Sequence, residues 1–294
     1  MTKLIQLTFF LLFCLQTPLK AQIPTEKAIL WEVSGKDLPK SSYLFGTFHL
    51  LCPDDLQVSS TIKEKFDSSK QLYLEIDFSD PNIGMKMMQM MQMRNDSTFH
   101  DLYDSLTYAQ INDTLEKHTH MGLDMFNKIK PFGLYSVVMM SALGCQPASW
   151  ELTLVKMAKE KGWKMNGLET LESQAAIFDT VPYLLQAEQL KEMAFNMDST
   201  KQEINKLIKL YKEQDINTMH EKITSDPLTE NYLDIMLYNR NANWISTIIK
   251  QAQTTSTFFA FGAGHLGGEK GVINLLRRRG YTVRPINPLD DKSN

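Results

Sequence analysis

The chain is short of cysteine, with three in 294 residues, Cys14, Cys52 and Cys145, and no two of them stand at a zinc-cluster spacing. It also lacks a basic patch interleaved with aromatics. Lys and Arg total 31 against 34 Asp and Glu, a formal net charge of −3, so nucleic-acid binding has no electrostatic support. Past the first residues there is no second long apolar run, which argues against a membrane span in the remainder. No low-complexity linker divides the chain, so residues 22–294 are expected to form one compact domain with ample core.

What is present begins with an address. Lys3 gives a small positive start, Leu4 to Leu15 is almost wholly apolar, and Ala21 supplies a small residue for cleavage. That is the layout of a secretory signal peptide, residues 1–21, cut after about Ala21. An uncleaved anchor is the alternative, though the run falls short of the ~20 residues of a span. Bulky Phe13 before Cys14 speaks against a lipoprotein. The mature chain would be mildly acidic and periplasmic or secreted. An oxidising compartment permits a Cys52–Cys145 disulfide, and two separate buried thiols are equally compatible with the sequence.

Strand-like runs at Ser42 to Phe45 and Thr257 to Phe261 each lead into a glycine-to-histidine motif. The first is Gly46-Thr47-Phe48-His49, the second Gly262-Ala263-Gly264-His265. Helical spacing follows each, with Leu56, Ile62 and Phe66 inward after the first and Val272, Leu275 and Leu276 after the second. A second strand then closes each unit, Leu72 to Asp77 and Tyr281 to Ile286. A weaker strand spans Lys164 to Leu168, and Gly162 and Gly280 are placed as helix C-caps. The middle reads as helical. Ser149 to Lys161 is amphipathic, Val181 to Tyr211 is two helices divided at Asp198-Ser199-Thr200, and Leu228 to Gln251 is one long helix. The fold class is therefore α/β: a small, mostly parallel sheet of N- and C-terminal βαβ-like units with a large helical insertion.

A glycine at a strand's end permits a sharp turn, and a histidine three residues on then faces the crevice where open α/β sheets bind ligands. Imidazole is both a common metal ligand and a competent general base. A lone histidine after a strand is more often structural; two in matched contexts favour one shared pocket. Among the other candidates, Met85 to Met93 holds six methionines, a flexible apolar helix covering a groove or the core rather than a copper site. His100, His118, His120 and His220 are read as surface, and Asp77 as a secondary site candidate on the face of Glu75.

The sequence resembles the TraB/PrgY/GumN family. The likeness lies in Tyr43-Leu44-Phe45-Gly46-Thr47-Phe48-His49-Leu50, the strand with Glu75, Gly167-Leu168-Glu169-Thr170 with Gln174, Arg240-Asn241 with Trp244, and Gly262 to Gly267 with the strand that follows. The family is grouped with the Tiki metalloproteases, which share the paired motifs and act as divalent-metal-dependent hydrolases. The resemblance implies that His49, His265 and Glu75 hold a divalent ion, with Mn, Co and Zn all plausible. It implies catalytic roles for Glu75, Glu169, Arg240 and Asn241, and a peptide or protein as substrate. Glu75 and Glu169 paired with Arg240 for structure alone is the plainer alternative. Two other functions compete: a non-catalytic periplasmic protein that sequesters a peptide, haem or metal, and an export-pathway interaction protein working through its helical insertion.

Overall fold

The structure, a computed structural model, describes residues 23–225 and 230–287. The expected signal peptide lies outside the described residues, as does Leu228, where the last long helix was placed to begin.

In chain order the elements are β1 (Leu30–Ser34), β2 (Ser42–Thr47), α1 (Ser60–Ser68), β3 (Gln71–Leu74), α2 (Ile83–Met90), α3 (Phe99–Leu102), α4 (Ser105–Thr119), α5 (Pro131–Leu143) and α6 (Trp150–Glu160). There follow β4 (Lys164–Gly167), α7 (Leu171–Phe178), α8 (Tyr183–Phe195), α9 (Met197–Lys212), α10 (Ile216–Thr224), α11 (Asn239–Thr254), β5 (Thr257–Gly262), α12 (Val272–Arg278) and β6 (Thr282–Ile286). The fold is the α/β arrangement expected.

The sheet order is β4-β3-β5-β2-β1-β6. Strands β4, β3, β5 and β2 run parallel, and β1 is antiparallel to both β2 and β6. The two terminal units are therefore interleaved rather than set side by side. β5 inserts between β2 and β3, while β2 and β1 separate β5 from β6. Strand β1 is an addition to the sequence reading. Its Leu30-Trp31-Glu32-Val33-Ser34 is too short to show a period, yet Leu30, Trp31 and Val33 are buried.

Burial on both faces explains the unbroken apolar run of β5. Phe258 meets Phe45 and Phe66 on one face, where α1 and α6 pack. Phe261 meets Trp244 of α11 on the other. A smaller apolar cluster among α4, α5 and α8, including Phe99, Ile111, Leu134, Val138 and Leu190, forms the helical insertion's own core.

Helix ends follow local chemistry. Ser149 caps α6, accepting from Leu152 N, and Gly162 and Gly280 take positive φ beyond α6 and α12 as expected. The break between α8 and α9 falls at Asn196, whose ψ of 43° leaves the helix, so Asp198, Ser199 and Thr200 lie inside the first turn of α9. The long helix expected from Leu228 to Gln251 is not uniform. A π-helical turn, Asp234–Tyr238, runs into α11 and ends two residues before Arg240. Such wide turns shift the register of side chains that follow.

Candidate functional site

Four neighbouring parallel strands end side by side, and each presents one residue beyond its carboxyl end. Across the sheet the order is Glu169 after β4, Glu75 after β3, His265 after β5 and His49 after β2. The two glycine motifs are direct neighbours, with Gly46 opposite Phe261 and Thr47 opposite Gly262. Gly46 is required by that closeness. A Cβ there would stand 2.7 Å from Leu266 Cδ1 and 3.0 Å from Ala263 Cβ.

Arg240 joins the two acids. Its Nη2 donates to Glu75 Oε2 and Glu169 Oε1, each at 2.6 Å, and its Nε donates to Glu169 Oε1 at 3.0 Å. Gln174 Nε2 donates to the same two carboxylates at 3.0 Å. Trp244 Nε1 donates to Glu169 Oε2 at 3.3 Å, and its ring lies under the guanidinium. Glu75 Oε1 accepts from Gly262 N at 2.8 Å. Burial disfavours charge on Glu75, but Arg240 and then the two imidazoles outweigh it and hold the carboxyl far below its usual range. Both glutamates pair with Arg240, the contact named by the plainer, structural alternative.

His265 sits in the 3-10 turn Ala263–His265, buried against Trp244 at 4.5 Å between ring centroids. Its Nδ1 is 2.6 Å from Asn241 Oδ1, and its Nε2 is 3.2 Å from Arg240 Nη1 and 3.9 Å from Glu75 Oε1. Asn241 is fully buried and donates through Nδ2 to Lys270 O at 2.9 Å. Burial, reinforced by the Arg240 charge, lowers the His265 pKa from 6.5 to about 3, so the ring is neutral at ordinary pH.

His49 is a different case. It lies in the loop after β2, with its side chain 63% exposed, and its Nδ1 is 2.9 Å from Glu151 Oε1. Desolvation lowers its basicity, but the Glu151 hydrogen bond and charge outweigh this and raise the pKa to about 9. Water at so open a ring screens part of the attraction, and the upward direction is what the pairing supports. Glu151 was not singled out in the sequence. An acid in a helix's first turn reads as complementing the helix dipole, and nothing in the spacing points it at residue 49.

The bare Cα of Gly262 marks where the groups converge. A Cβ there would lie 3.4 Å from Glu75 Oε1, 3.7 Å from His265 Cδ2 and 3.8 Å from His49 Nε2. Among the described residues, no three His, Cys, Asp or Glu side chains already form a group that would hold a metal ion.

The remaining candidates lie elsewhere. Asp77 accepts from Ser79 N at 2.8 Å and joins none of these hydrogen bonds. His118 and His120 are exposed at the end of α4, and exposed His100 stacks on Tyr108. His220 corrects the surface reading. It is buried, with Nδ1 3.2 Å from Gly264 O, and it packs on Gly267 and Gly268. Its partners are more than 40 residues away in sequence, out of reach of any local pattern. In the methionine segment Met85 and Met88 are exposed on α2 while Met93 is buried. Cys52 and Cys145 form a disulfide.

Comparison with known proteins places these residues in context. Residues 29–285 match the sequence pattern of the TraB/PrgY/gumN family. Metalloprotease TIKI2 of Danio rerio is 24% identical, over 89% of this chain and 61% of its own length. Metalloprotease TIKI1 of Homo sapiens is also 24% identical, over 92% of this chain and 65% of its own. The chain thus spans about three fifths of the length of these relatives. No solved structure matches it.

Proposed function

Because the chain belongs to the TraB/PrgY/gumN family, we propose that it is an exported, metal-dependent hydrolase that cleaves peptide bonds in the periplasm or outside the cell. One observation carries this reading: His49 Nε2, Glu75 Oε1 and the His265 ring converge around Gly262, where a side chain is missing. In each ring Nδ1 is already engaged, by Glu151 in one and Asn241 in the other. That leaves Nε2 of both rings on the side of the site, the His265 Nε2 accepting from Arg240 Nη1 at 3.2 Å. Two imidazoles and a carboxylate suit a divalent ion such as Mn, Co or Zn, and three protein ligands leave a position open. The relatives named as metalloproteases support the same chemistry.

The roles follow from charge and reach. His265 is neutral, and its Nε2 lone pair would exchange the Arg240 Nη1 hydrogen bond for the ion, whereas His49 must first give up a proton. Glu75 stays ionised beside Arg240, which suits a ligand and not a proton acceptor. A bound divalent ion would supply a polarising charge for a carbonyl and acidify water. Glu169, held by Arg240 and Gln174, is a further ligand or the base that takes the water's proton. Arg240 orients both carboxylates and offsets negative charge as it develops; Asn241 fixes the His265 ring. Among the described residues no helix is long and apolar enough to cross a membrane, in keeping with a chain released after signal cleavage.

Elemental analysis of the purified protein beside the His49→Ala/His265→Ala double variant tests the metal. Equal metal content in both overturns the site. Hydrolysis of peptides, abolished by a chelator and by His49→Ala, tests the reaction. A second reading has one observation behind it. Arg240 already pairs with both carboxylates, as in a pocket that retains a peptide, haem or metal without turnover. Stoichiometric retention of an unchanged ligand would favour it.

A further inference from the structure

The two histidines are held by different means. Packing fixes His265, tilted against Trp244 and edge-on to Phe261 in a buried turn. Among the described residues His49 has no ring partner of that kind, and most of its side chain faces solvent. An imidazole so placed turns freely about its side-chain bonds and presents either nitrogen unless something holds it.

Glu151 is the group in position to do so. Its carboxylate is buried and accepts three hydrogen bonds: from Thr47 Oγ1 at 2.6 Å, from His49 Nδ1 at 2.9 Å and from Ser149 Oγ at 2.7 Å. Two of the three donors belong to the first glycine motif. A buried carboxylate costs several kcal/mol to desolvate, on the order of what an apolar residue at the same place avoids. What an acid gains from the helix dipole in a first turn, about 0.3–1 kcal/mol, falls short of that cost.

The segments carrying the pair are fastened to one another beside it. Leu51 and Ala148 exchange backbone hydrogen bonds, Leu51 N to Ala148 O at 3.3 Å and Ala148 N to Leu51 O at 2.7 Å. The Cys52–Cys145 disulfide lies next along the chain and closes a separation of 93 residues. Without these ties a loop after β2 and the start of α6 would meet only through the side chains themselves.

We propose that Glu151 is the positioning residue of His49, holding the ring with Nδ1 protonated and Nε2 presented at the site, and that the Cys52–Cys145 crosslink keeps the two segments in register for it. This rests on the reading of His49 as a ligand, and the closing experiment separates the two. Outer-shell partners of ligating histidines typically change metal affinity by about 10–100-fold when removed.

The first readout is the nitrogen-15 spectrum of the His49 side chain in metal-free protein, at a pH raised until the ring is neutral. The wild type is expected to show the Nδ1–H tautomer, Glu151→Ala the Nε2–H tautomer, and Glu151→Gln, whose carbonyl still accepts from Nδ1–H, the wild-type form. The same tautomer in wild type and Glu151→Ala overturns the proposal. If Glu151→Ala does not fold, an Nε2–H ring in the wild type overturns it and an Nδ1–H ring supports it. The Cys52→Ser/Cys145→Ser protein is expected to show a mixture of tautomers; a pure wild-type signal there overturns the crosslink's part. The second readout is titration with cobalt(II) chloride, in which Glu151→Ala should bind ~10–100-fold more weakly and Glu151→Gln within a few-fold of wild type. A wild type that binds no cobalt, with tautomers as expected, refutes the ligand reading and leaves the positioning intact.

Discussion

Asn241 Oδ1 stands 2.6 Å from His265 Nδ1, and this bond decides which nitrogen of the ring faces the glutamates. Asn241 is fully buried and its amide also satisfies Lys270 O. Replacing it by Ala strands a ring nitrogen and a carbonyl, a cost of about 1–3 kcal/mol each at most when buried. Asn241→Ala is expected to lower the denaturation midpoint and to weaken cobalt binding together. Loss of stability with unchanged metal affinity would count against its role at the site.

Two glycines at strand ends should respond in opposite ways. Gly46→Ala drives a methyl against Ala263, whose backbone cannot retreat as a side chain would, and should destabilise by about 1–3 kcal/mol. At Gly262 φ is −50° and the added methyl meets its neighbours at ordinary contact distance. Gly262→Ala should therefore fold like the wild type in a urea titration, yet lose metal and activity, because the methyl fills the space between the two rings and Glu75.

Arg240 is the counter-charge of two buried acids. Arg240→Met leaves Glu75 and Glu169 unpaired and should cost about 3–5 kcal/mol. Arg240→Lys keeps the charge but not the fork that spans both carboxylates, so urea midpoints should rank wild type, Lys, then Met. Equal midpoints for Lys and wild type would show that charge alone suffices.

Acid should weaken the protein through its buried rings. Burial lowers the pKa of His220 below the ordinary 6.5, so the unfolded chain takes up a proton that the folded one refuses. The stability that the neutral ring contributes is full above 6.5 and is lost as pH falls from there toward the folded value. His265, lowered to about 3, carries the same sign. His49, with its pKa raised, has the opposite sign and gains stability as pH falls toward 6.5, so urea midpoints should fall only below about pH 6.5. His220→Asn, which keeps an amide donor toward Gly264 O, should make that fall shallower without removing it.

The parts legible in the sequence were those written locally. A β-branched and aromatic run ending in glycine predicts a strand and the turn after it, and both motifs lie where the pattern puts them. The pairing of Glu75 and Glu169 with Arg240 was named only as the plainer alternative to catalytic roles, on opposite charge. What escaped depends on distant contacts. Glu151 looks like any acid at a helix start, and His220 like any surface imidazole, until the chain is folded. The helix break at Asn196 comes from its backbone angles, although Asp198-Ser199-Thr200 is the better capping sequence. The π-helical turn before Arg240 has no sequence mark, and strand β1 is too short to have a period.

The interleaving of β5 between β2 and β3 also governs when the protein can exist as a working object. Ser42 and Thr257, bonded across these strands, are 215 residues apart along the chain. A nascent chain that has left the ribosome as far as α10 carries His49, Glu75 and Glu169 but neither Arg240 nor His265, and the place between its strands is empty. Pairing over such distances is slow to form. The site is thus a property of the finished chain alone: a fragment that stops before α11 and β5 holds His49 and the two acids but lacks what joins them.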